Sequence, residues 1–231
     1  MLKVILFDID NTLLSFDEYV KESMKIGFEK FGIGKYEDYM FSVFTNINSS
    51  LWRSIENGEL SFEELQKIRW NKIFEHLGIS ADGVAFEKYF QECLCESAIP
   101  INGASELLES LSGKYTLGVA SNGPYFQQVN RLRICGMLHY FSHLFISEEI
   151  GSSKPSSEFF NTCIDRLNSK ADKIIKPCEI MIIGDSLSSD MAGGIRCGMK
   201  TCFYNPHSKP VPRELKLNYT VTSLKEIANI L

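Results

Sequence analysis

Five short apolar runs recur along the chain, and they constrain its fold more than any other feature. They are KVILF (3–7), YTLGVAS (115–121), HLFIS (143–147), EIMIIGD (179–185) and the weaker KTCFY (200–204). Runs of this length and continuous apolar character are typical of parallel strands that are covered on both faces. Helical patterns separate them, at 103–112, 124–134, 156–167 and 189–197. This alternation predicts an α/β fold with a doubly wound parallel sheet and right-handed crossovers.

The connection that follows the first run is far longer than the others. Residues 15–99 contain no strand-like run and show amphipathic helical patterns throughout. The clearest pattern begins at Ser61, which can form a capping box with Glu64 and precedes a stripe of apolar residues. A connection of this length within a compact domain must carry structure of its own. We therefore predict an α/β core formed by residues 1–14 and 100–231, with an all-helical domain inserted between its two parts.

Charge and composition exclude several classes of function. The net charge of -5 gives no basic footprint for a nucleic acid polymer. No apolar run approaches the roughly 18 residues that a membrane-spanning helix needs, and acids interrupt the first run too early for a signal peptide. The seven cysteines are scattered without a C-x-x-C pair, which is typical of reduced thiols. We expect a cytoplasmic protein, monomeric or homodimeric, that binds neither nucleic acid nor membrane.

Two acids, Asp8 and Asp10, directly follow the first apolar run. Residues i and i+2 of a strand point the same way, and ligands of open α/β sheets bind beyond the carboxyl ends of the strands. Two carboxylates that face each other there repel unless a cation or a shared proton intervenes. A hard, oxygen-seeking cation such as Mg²⁺ resolves that repulsion. The alternative is that one acid merely caps the next segment, and the pair alone does not decide between the two.

Two further loops carry candidate anion-binding groups. Ser121 and Asn122 end the second run, where a hydroxyl and free backbone amides at a helix start can cradle an anion, or simply cap the helix. Lys154 precedes Pro155, which we expect to be the first helical residue. A cation at a helix N-terminus has the wrong sign for the helix dipole, so this lysine either holds an anion or is solvated.

The fourth buried run ends in Gly184-Asp185, and Asp190 follows in the first turn of the next helix. A carboxylate at the mouth of a buried strand needs a partner, whereas an acid in a first helical turn is favourable by itself, and Ser188 could cap that helix. Four strand ends thus supply acids, a hydroxyl and a lysine. A nucleophile, a metal site and positive groups are the parts needed for phosphoryl transfer.

In order along the chain, the motifs DIDNT, SN, KP and GDSLSSD resemble those of the haloacid dehalogenase-like (HAD) hydrolase superfamily. The resemblance implies a Rossmann-like core with 15–99 as its helical cap, and a phosphatase that uses an aspartyl-phosphate intermediate. Asp8 would attack phosphorus, and Asp10 would protonate the leaving oxygen and then deprotonate the hydrolytic water. Mg²⁺ would be held by Asp8, the backbone carbonyl of Asp10 and Asp185, with Asp190 in support.

The same resemblance implies that Ser121, the Asn122 amide and Lys154 bind the phosphoryl oxygens. A narrower similarity lies in SSLWRSIENGELSFEELQKIRW, ISEEIGSSKP and GGIRCGMKTCFYNP, which resemble segments of bacterial house-cleaning pyrimidine 5'-nucleotidases. It implies a small phosphomonoester substrate, a (deoxy)pyrimidine nucleoside monophosphate. Phe16 and Trp52 are candidates for stacking on the base, although Trp52 also fits the core of a small helical domain.

Other functions share parts of this pattern. A sugar-phosphate phosphatase or phosphomutase of the same superfamily would carry the same core motifs. A signalling receiver domain also combines paired acids with a phosphorylated aspartate and a Lys-Pro, but it has no large helical insertion and its accepting acid lies on a middle strand. A dehalogenase is disfavoured, because Asp10 supplies an acid that carbon–halogen displacement does not use.

Overall fold

The computed structural model describes residues 1–169, 171 and 173–231, and it divides into two compact units. One unit comprises Met1–Ser15 together with Ala98–Leu231, and the other is Phe16–Ser97. The second unit therefore begins and ends within two residues of the predicted insertion. That this unit acts as a cap remains a prediction.

The inserted unit consists of four helices: α1 (Phe16–Lys30), α2 (Asp38–Glu56), α3 (Phe62–Leu77) and α4 (Gly83–Glu96). The predicted capping box starts α3, where the Ser61 amide donates to Glu64 Oε2 at 2.8 Å and Ser61 Oγ accepts from the Glu64 amide at 3.2 Å. Between α3 and α4, the buried Arg69 forms an ion pair with Glu87 beneath a cluster of aromatic rings that includes Trp70. Burial of this pair joins the two helices.

The other unit contains a six-stranded parallel sheet in the order β3-β2-β1-β4-β5-β6. Its strands are β1 (Val4–Phe7), β2 (Thr116–Ser121), β3 (His143–Ile146), β4 (Ile180–Gly184), β5 (Lys200–Tyr204) and β6 (Tyr219–Val221). The prediction of an α/β fold with a parallel sheet is confirmed, and the first five strands coincide with the five apolar runs. The sixth was not predicted, because its three residues form no continuous buried run.

Helices cover both faces of this sheet. They are α5 (Ala104–Leu111), α6 (Tyr125–Ile134), α7 (Ser147–Ile150), α8 (Ser157–Asn168), α9 (Ala192–Arg196) and α10 (Leu224–Ile230). Side chains alternate along β1, so Ile5 and Phe7 belong to one apolar cluster while Val4 and Leu6 belong to the other. The central strands are therefore buried on both faces, as their composition predicts. In the described parts of the chain, no helix is long and apolar enough to cross a membrane.

Candidate active site

The candidate site lies where β1, β2 and β4 end at the same edge of the sheet. Asp8 directly follows β1 and Asp185 directly follows β4, and these two strands are hydrogen-bonded neighbours. The Asp8 amide donates to the Ile183 carbonyl at 2.9 Å, which carries the pairing one residue beyond β1. Because parallel strands end at one edge, the two acids are brought together although 177 positions separate them in sequence.

Three carboxylates form a compact cluster at this edge. Asp8, Asp185 and Asp190 each offer an oxygen atom, and these atoms all lie within 4.8 Å of one another. Asp190 follows in a π-helical turn, Leu187–Met191, and is fully buried. Gly184 makes room for it, because a Cβ atom at that position would lie 2.1 Å from Asp190 Oδ2. The last residue of β4 must therefore lack a side chain for the cluster to form.

Lys154 supplies the positive charge of the cluster. Its Nζ donates to Asp8 Oδ1 at 2.7 Å, to Asp190 Oδ1 at 2.6 Å and to the Ala120 carbonyl at 2.7 Å. Only 2% of its side chain is exposed, so the alternative of a solvated lysine is wrong. The expected helix start also differs, because α8 begins at Ser157. Lys154 therefore owes its position to the two carboxylates rather than to a helix end.

The electrostatics of the cluster favour binding of a divalent cation. Burial, reinforced by the Asp190 and Asp10 charges and opposed by Lys154, raises the pKa of Asp8 to about 7. Burial and the charges of Asp8 and Asp190 raise the pKa of Asp185 well above its usual value. Burial disfavours the Lys154 ammonium, yet Asp190 and Asp8 raise its pKa overall. The single ammonium of Lys154 does not neutralise three clustered carboxylates, so a divalent cation would be bound favourably here. The donor atoms are all oxygens, which suits Mg²⁺.

Asp10 differs from the expectation that its carboxylate joins Asp8 and Asp185. Its Oδ1 accepts from Arg131 Nη1 at 2.7 Å, and its Oδ2 accepts from Gln128 Nε2 at 2.8 Å. The reason is local, since β1 ends at Phe7 and the alternation of a strand no longer applies at Asp10. Asp190 provides the third carboxylate of the cluster instead. A role for the Asp10 backbone carbonyl in holding a metal remains a prediction.

Ser121 and Asn122 lie beside Lys154, but in ways that the sequence did not predict. Ser121 Oγ is buried and accepts from Gln128 Nε2 at 3.0 Å. The Asn122 side chain bonds the backbone of Lys154 on both sides, at 3.0 Å to its carbonyl and 2.9 Å to its amide. Asn122 thereby fixes the loop that presents the lysine. That Ser121 and the Asn122 amide bind phosphoryl oxygens remains a prediction.

Side chains bond the backbone at two helix starts near the site. The backbone amides of Gly123 and Tyr125, at the start of α6, donate to Ser147 Oγ and Glu148 Oε2 at 2.9 and 2.7 Å. The cap of the turn that carries Asp190 is Ser186 rather than Ser188. In both places a tertiary or neighbouring side chain replaces the local partner that the sequence suggests.

The two candidates for base stacking lie in the inserted unit. Phe16 packs against the rings of Tyr19, Phe44 and Phe90, with centroids 6.1 to 6.3 Å apart. Trp52 packs against Phe62 at 5.7 Å. Both side chains are half-buried, so each keeps some exposed ring surface. Their role in substrate binding remains a prediction.

Comparison with known proteins places these features in context. Residues 2–198 match the family model of haloacid dehalogenase-like hydrolases. HAD-hydrolase YfnB of Bacillus subtilis is 32% identical over 99% of this chain and 95% of that protein. Its magnesium-bound crystal structure superposes with a TM-score of 0.88, covering 100% of this chain and 98% of that chain.

Relatives with stated substrates include two nucleotidases. Pyrimidine 5'-nucleotidase PynA of Streptococcus pneumoniae is 31% identical, covering 99% of this chain and 94% of that protein. Pyrimidine 5'-nucleotidase YjjG of Escherichia coli is 29% identical, covering 98% and 96% respectively. At 25% identity, glyceraldehyde 3-phosphate phosphatase of Methanothermobacter thermautotrophicus also matches, over 100% of this chain and 98% of that protein.

Proposed function

We propose that this chain is a Mg²⁺-dependent hydrolase of (deoxy)pyrimidine nucleoside monophosphates. It belongs to the haloacid dehalogenase-like hydrolase family and is a phosphatase. The observation that carries the proposal is the cluster of Asp8, Asp185 and Asp190 with the Lys154 ammonium between Asp8 and Asp190. Such a cluster combines a nucleophile, donors for a divalent cation and a fixed positive charge.

The proposed reaction has two steps. A carboxylate oxygen of Asp8 forms a bond to phosphorus while the ester P–O bond breaks, and Asp10 donates a proton to the leaving oxygen. Water then attacks phosphorus of the aspartyl-phosphate, Asp10 accepts a proton from that water, and inorganic phosphate leaves with the Asp8 carboxylate restored. Lys154, which already contacts Asp8, stabilises negative charge on the phosphoryl oxygens in both steps.

A bound Mg²⁺ would supply further positive charge for the phosphoryl oxygens. Asp8, Asp185 and the backbone carbonyl of Asp10 would hold it, with Asp190 in support. The carboxylates of Asp8, Asp185 and Asp190 are suited to binding a divalent cation because they lie close together and repel one another without one.

The nucleotide preference is supported by the two pyrimidine 5'-nucleotidases, at 31% and 29% identity over nearly the whole chain. The second candidate, hydrolysis of a small sugar phosphate, is supported by the more distant glyceraldehyde 3-phosphate phosphatase. Both candidates use the same core chemistry and differ only in the leaving group that the enzyme accepts.

A substrate panel separates the two candidates. We expect kcat/KM for dUMP, UMP or dTMP to exceed that for hexose and triose phosphates by at least about 10-fold, because each well-matched contact to a leaving group contributes more than about 1 kcal/mol to discrimination. Release of inorganic phosphate with Mg²⁺ present is the measurement. The opposite order of preference would assign the enzyme to sugar phosphates.

Removal of the metal tests the proposed cofactor. We expect EDTA to lower phosphate release by at least about 100-fold and added Mg²⁺ to restore it, because the cation contributes several kcal/mol of charge stabilisation. Asp185→Asn should weaken Mg²⁺ binding by at least about 10-fold in calorimetric titration. Asp165→Asn, which changes an exposed acid on α8, is the matched control and should bind Mg²⁺ like the unmodified protein. Full turnover in EDTA would contradict the proposal.

A further inference from the structure

Helix α6 presents two buried polar side chains, one turn apart, to the carboxylate of Asp10. Gln128 and Arg131 are each only 1% exposed. Arg131 Nη1 donates to Asp10 Oδ1 at 2.7 Å and also to Gln128 Oε1 at 2.9 Å. Gln128 Nε2 donates to Asp10 Oδ2 at 2.8 Å. Both oxygens of the carboxylate are therefore held, and the two donors are held to each other.

Burial of a guanidinium is unfavourable unless it is well paired. Arg131 meets this condition, because its guanidinium is paired with Asp10 and also bonds Gln128. The pair is also asymmetric, because the Asp10 side chain is 32% exposed while that of Arg131 is 1% exposed. The buried Arg131 therefore fixes the direction of the Asp10 carboxylate, while the exposed part of Asp10 stays accessible to a reactant.

The same amide group also contacts a second candidate residue. Gln128 Nε2 donates both to Asp10 Oδ2 and to Ser121 Oγ, at 2.8 and 3.0 Å. One side chain therefore sets the separation between the proposed acid and the hydroxyl at the end of β2. A change at Gln128 would move both.

We propose that Arg131 and Gln128 are positioning residues for Asp10, which keep its carboxylate outside the metal-binding cluster and directed towards the leaving oxygen and the hydrolytic water. The inference rests on the proposed function, because it explains the orientation of Asp10 by the role of Asp10 as acid and base in that reaction. Arg131 donates to the Asp10 carboxylate, and Gln128 donates both to that carboxylate and to Ser121 Oγ. We expect Arg131 to act through Asp10, and Gln128 through Asp10 and Ser121.

The two steps of the reaction should respond differently when this support is lost. An aryl phosphate such as 4-nitrophenyl phosphate has a leaving group that departs without a proton, so formation of the aspartyl-phosphate needs little help from Asp10. Its breakdown needs Asp10 as a base whatever the substrate. Misplacement of Asp10 should therefore convert breakdown into the slow step and cause the aspartyl-phosphate to accumulate.

The test is pre-steady-state kinetics of Arg131→Met with 4-nitrophenyl phosphate. We expect kcat to fall by about 100-fold, as for a misplacement of about 1 Å. KM should fall with it, because kcat/KM reports formation of the aspartyl-phosphate, which is little affected with this substrate. A burst of 4-nitrophenolate, stoichiometric with the enzyme, should precede the slow steady state. Arg133→Met is the matched control, because Arg133 is exposed on the same helix and its Nη1 donates only to Asn130 among the hydrogen bonds found for it. This control should retain the kcat of the unmodified enzyme and its burst behaviour.

A burst in Arg131→Met with a retained melting temperature supports the inference. Loss of activity without a burst, or kinetics equal to those of Arg133→Met, overturns it. If Arg131→Met fails to fold, Gln128→Met, which removes the amide donors at similar volume, provides the same readout with the same outcomes. Failure of the proposed function is recognised separately in the unmodified protein. Loss of the preference for nucleotides would refute the substrate assignment, and no Mg²⁺-dependent hydrolysis of 4-nitrophenyl phosphate would refute the phosphatase chemistry itself.

Discussion

Asp8→Asn is expected to lower kcat by more than about 10⁴-fold while leaving the fold intact, because an amide cannot replace the carboxylate as nucleophile. The substitution preserves the shape of the side chain. Lys154 keeps its contacts with Asp190 and the Ala120 carbonyl, so the buried ammonium is not left without partners. Phosphate release under Mg²⁺ saturation measures the loss, and the melting temperature checks the fold.

Asp165→Asn serves again as the control for this experiment, because it removes an exposed carboxylate elsewhere on the same unit. Its activity should equal that of the unmodified enzyme. If Asp8→Asn retained an ordinary kcat, Asp8 would not be the nucleophile, and the cluster would need a different interpretation.

Lys154→Met is expected to lower the free energy of unfolding by about 3–5 kcal/mol, because removal of one partner of a buried ion pair leaves uncompensated charge. Asp8 and Asp190 would both lose the ammonium that contacts them, in a place where water does not replace it. Urea denaturation without added metal is the measurement. Activity should also be lost, since the proposed mechanism uses the same ammonium.

The double variant Lys154→Met/Asp190→Asn shows whether Lys154→Met loses stability through unpaired charge or through lost packing. It removes one buried negative charge together with the positive one, so it should recover part of the stability that Lys154→Met loses. If Lys154→Met left the free energy of unfolding unchanged, or if the double variant were less stable by the sum of the two single losses, the ion pair would not be what holds the cluster.

The sequence predicted those parts of the fold in which one local pattern decides the structure. Val4–Phe7 and Ile180–Gly184 are buried on both faces, and such strands are recognisable as continuous apolar runs. The capping box at Ser61 marked the start of α3 within the insertion. Tyr219–Val221 lacks such a signal, because only one of its three residues is buried and its pairing with β5 is decided by tertiary packing.

Prediction of the site succeeded for residues that end strands and failed where the partner lies on another element. Asp8, Asp185 and Lys154 could be expected to converge, because parallel strands and the loops after them share one edge. The pairing of Asp10 with Arg131 spans 121 positions, which no local spacing encodes. A signal was present in Gln128 and Arg131, one turn apart on the helix that follows Ser121-Asn122. Without coordinates, these polar side chains resemble a solvated helix face.

Detection of a phosphoryl group on Asp8 would test the central claim most directly. Enzyme mixed with excess substrate and Mg²⁺ is quenched in acid during turnover, and its peptides are mapped by mass spectrometry. We predict phosphorylation on the peptide that contains Asp8, absent from Asp8→Asn and from enzyme treated with EDTA. A phosphoryl group on another residue, or phosphate release with no phosphorylated peptide in Arg131→Met, where breakdown is expected to be slow, would contradict the account.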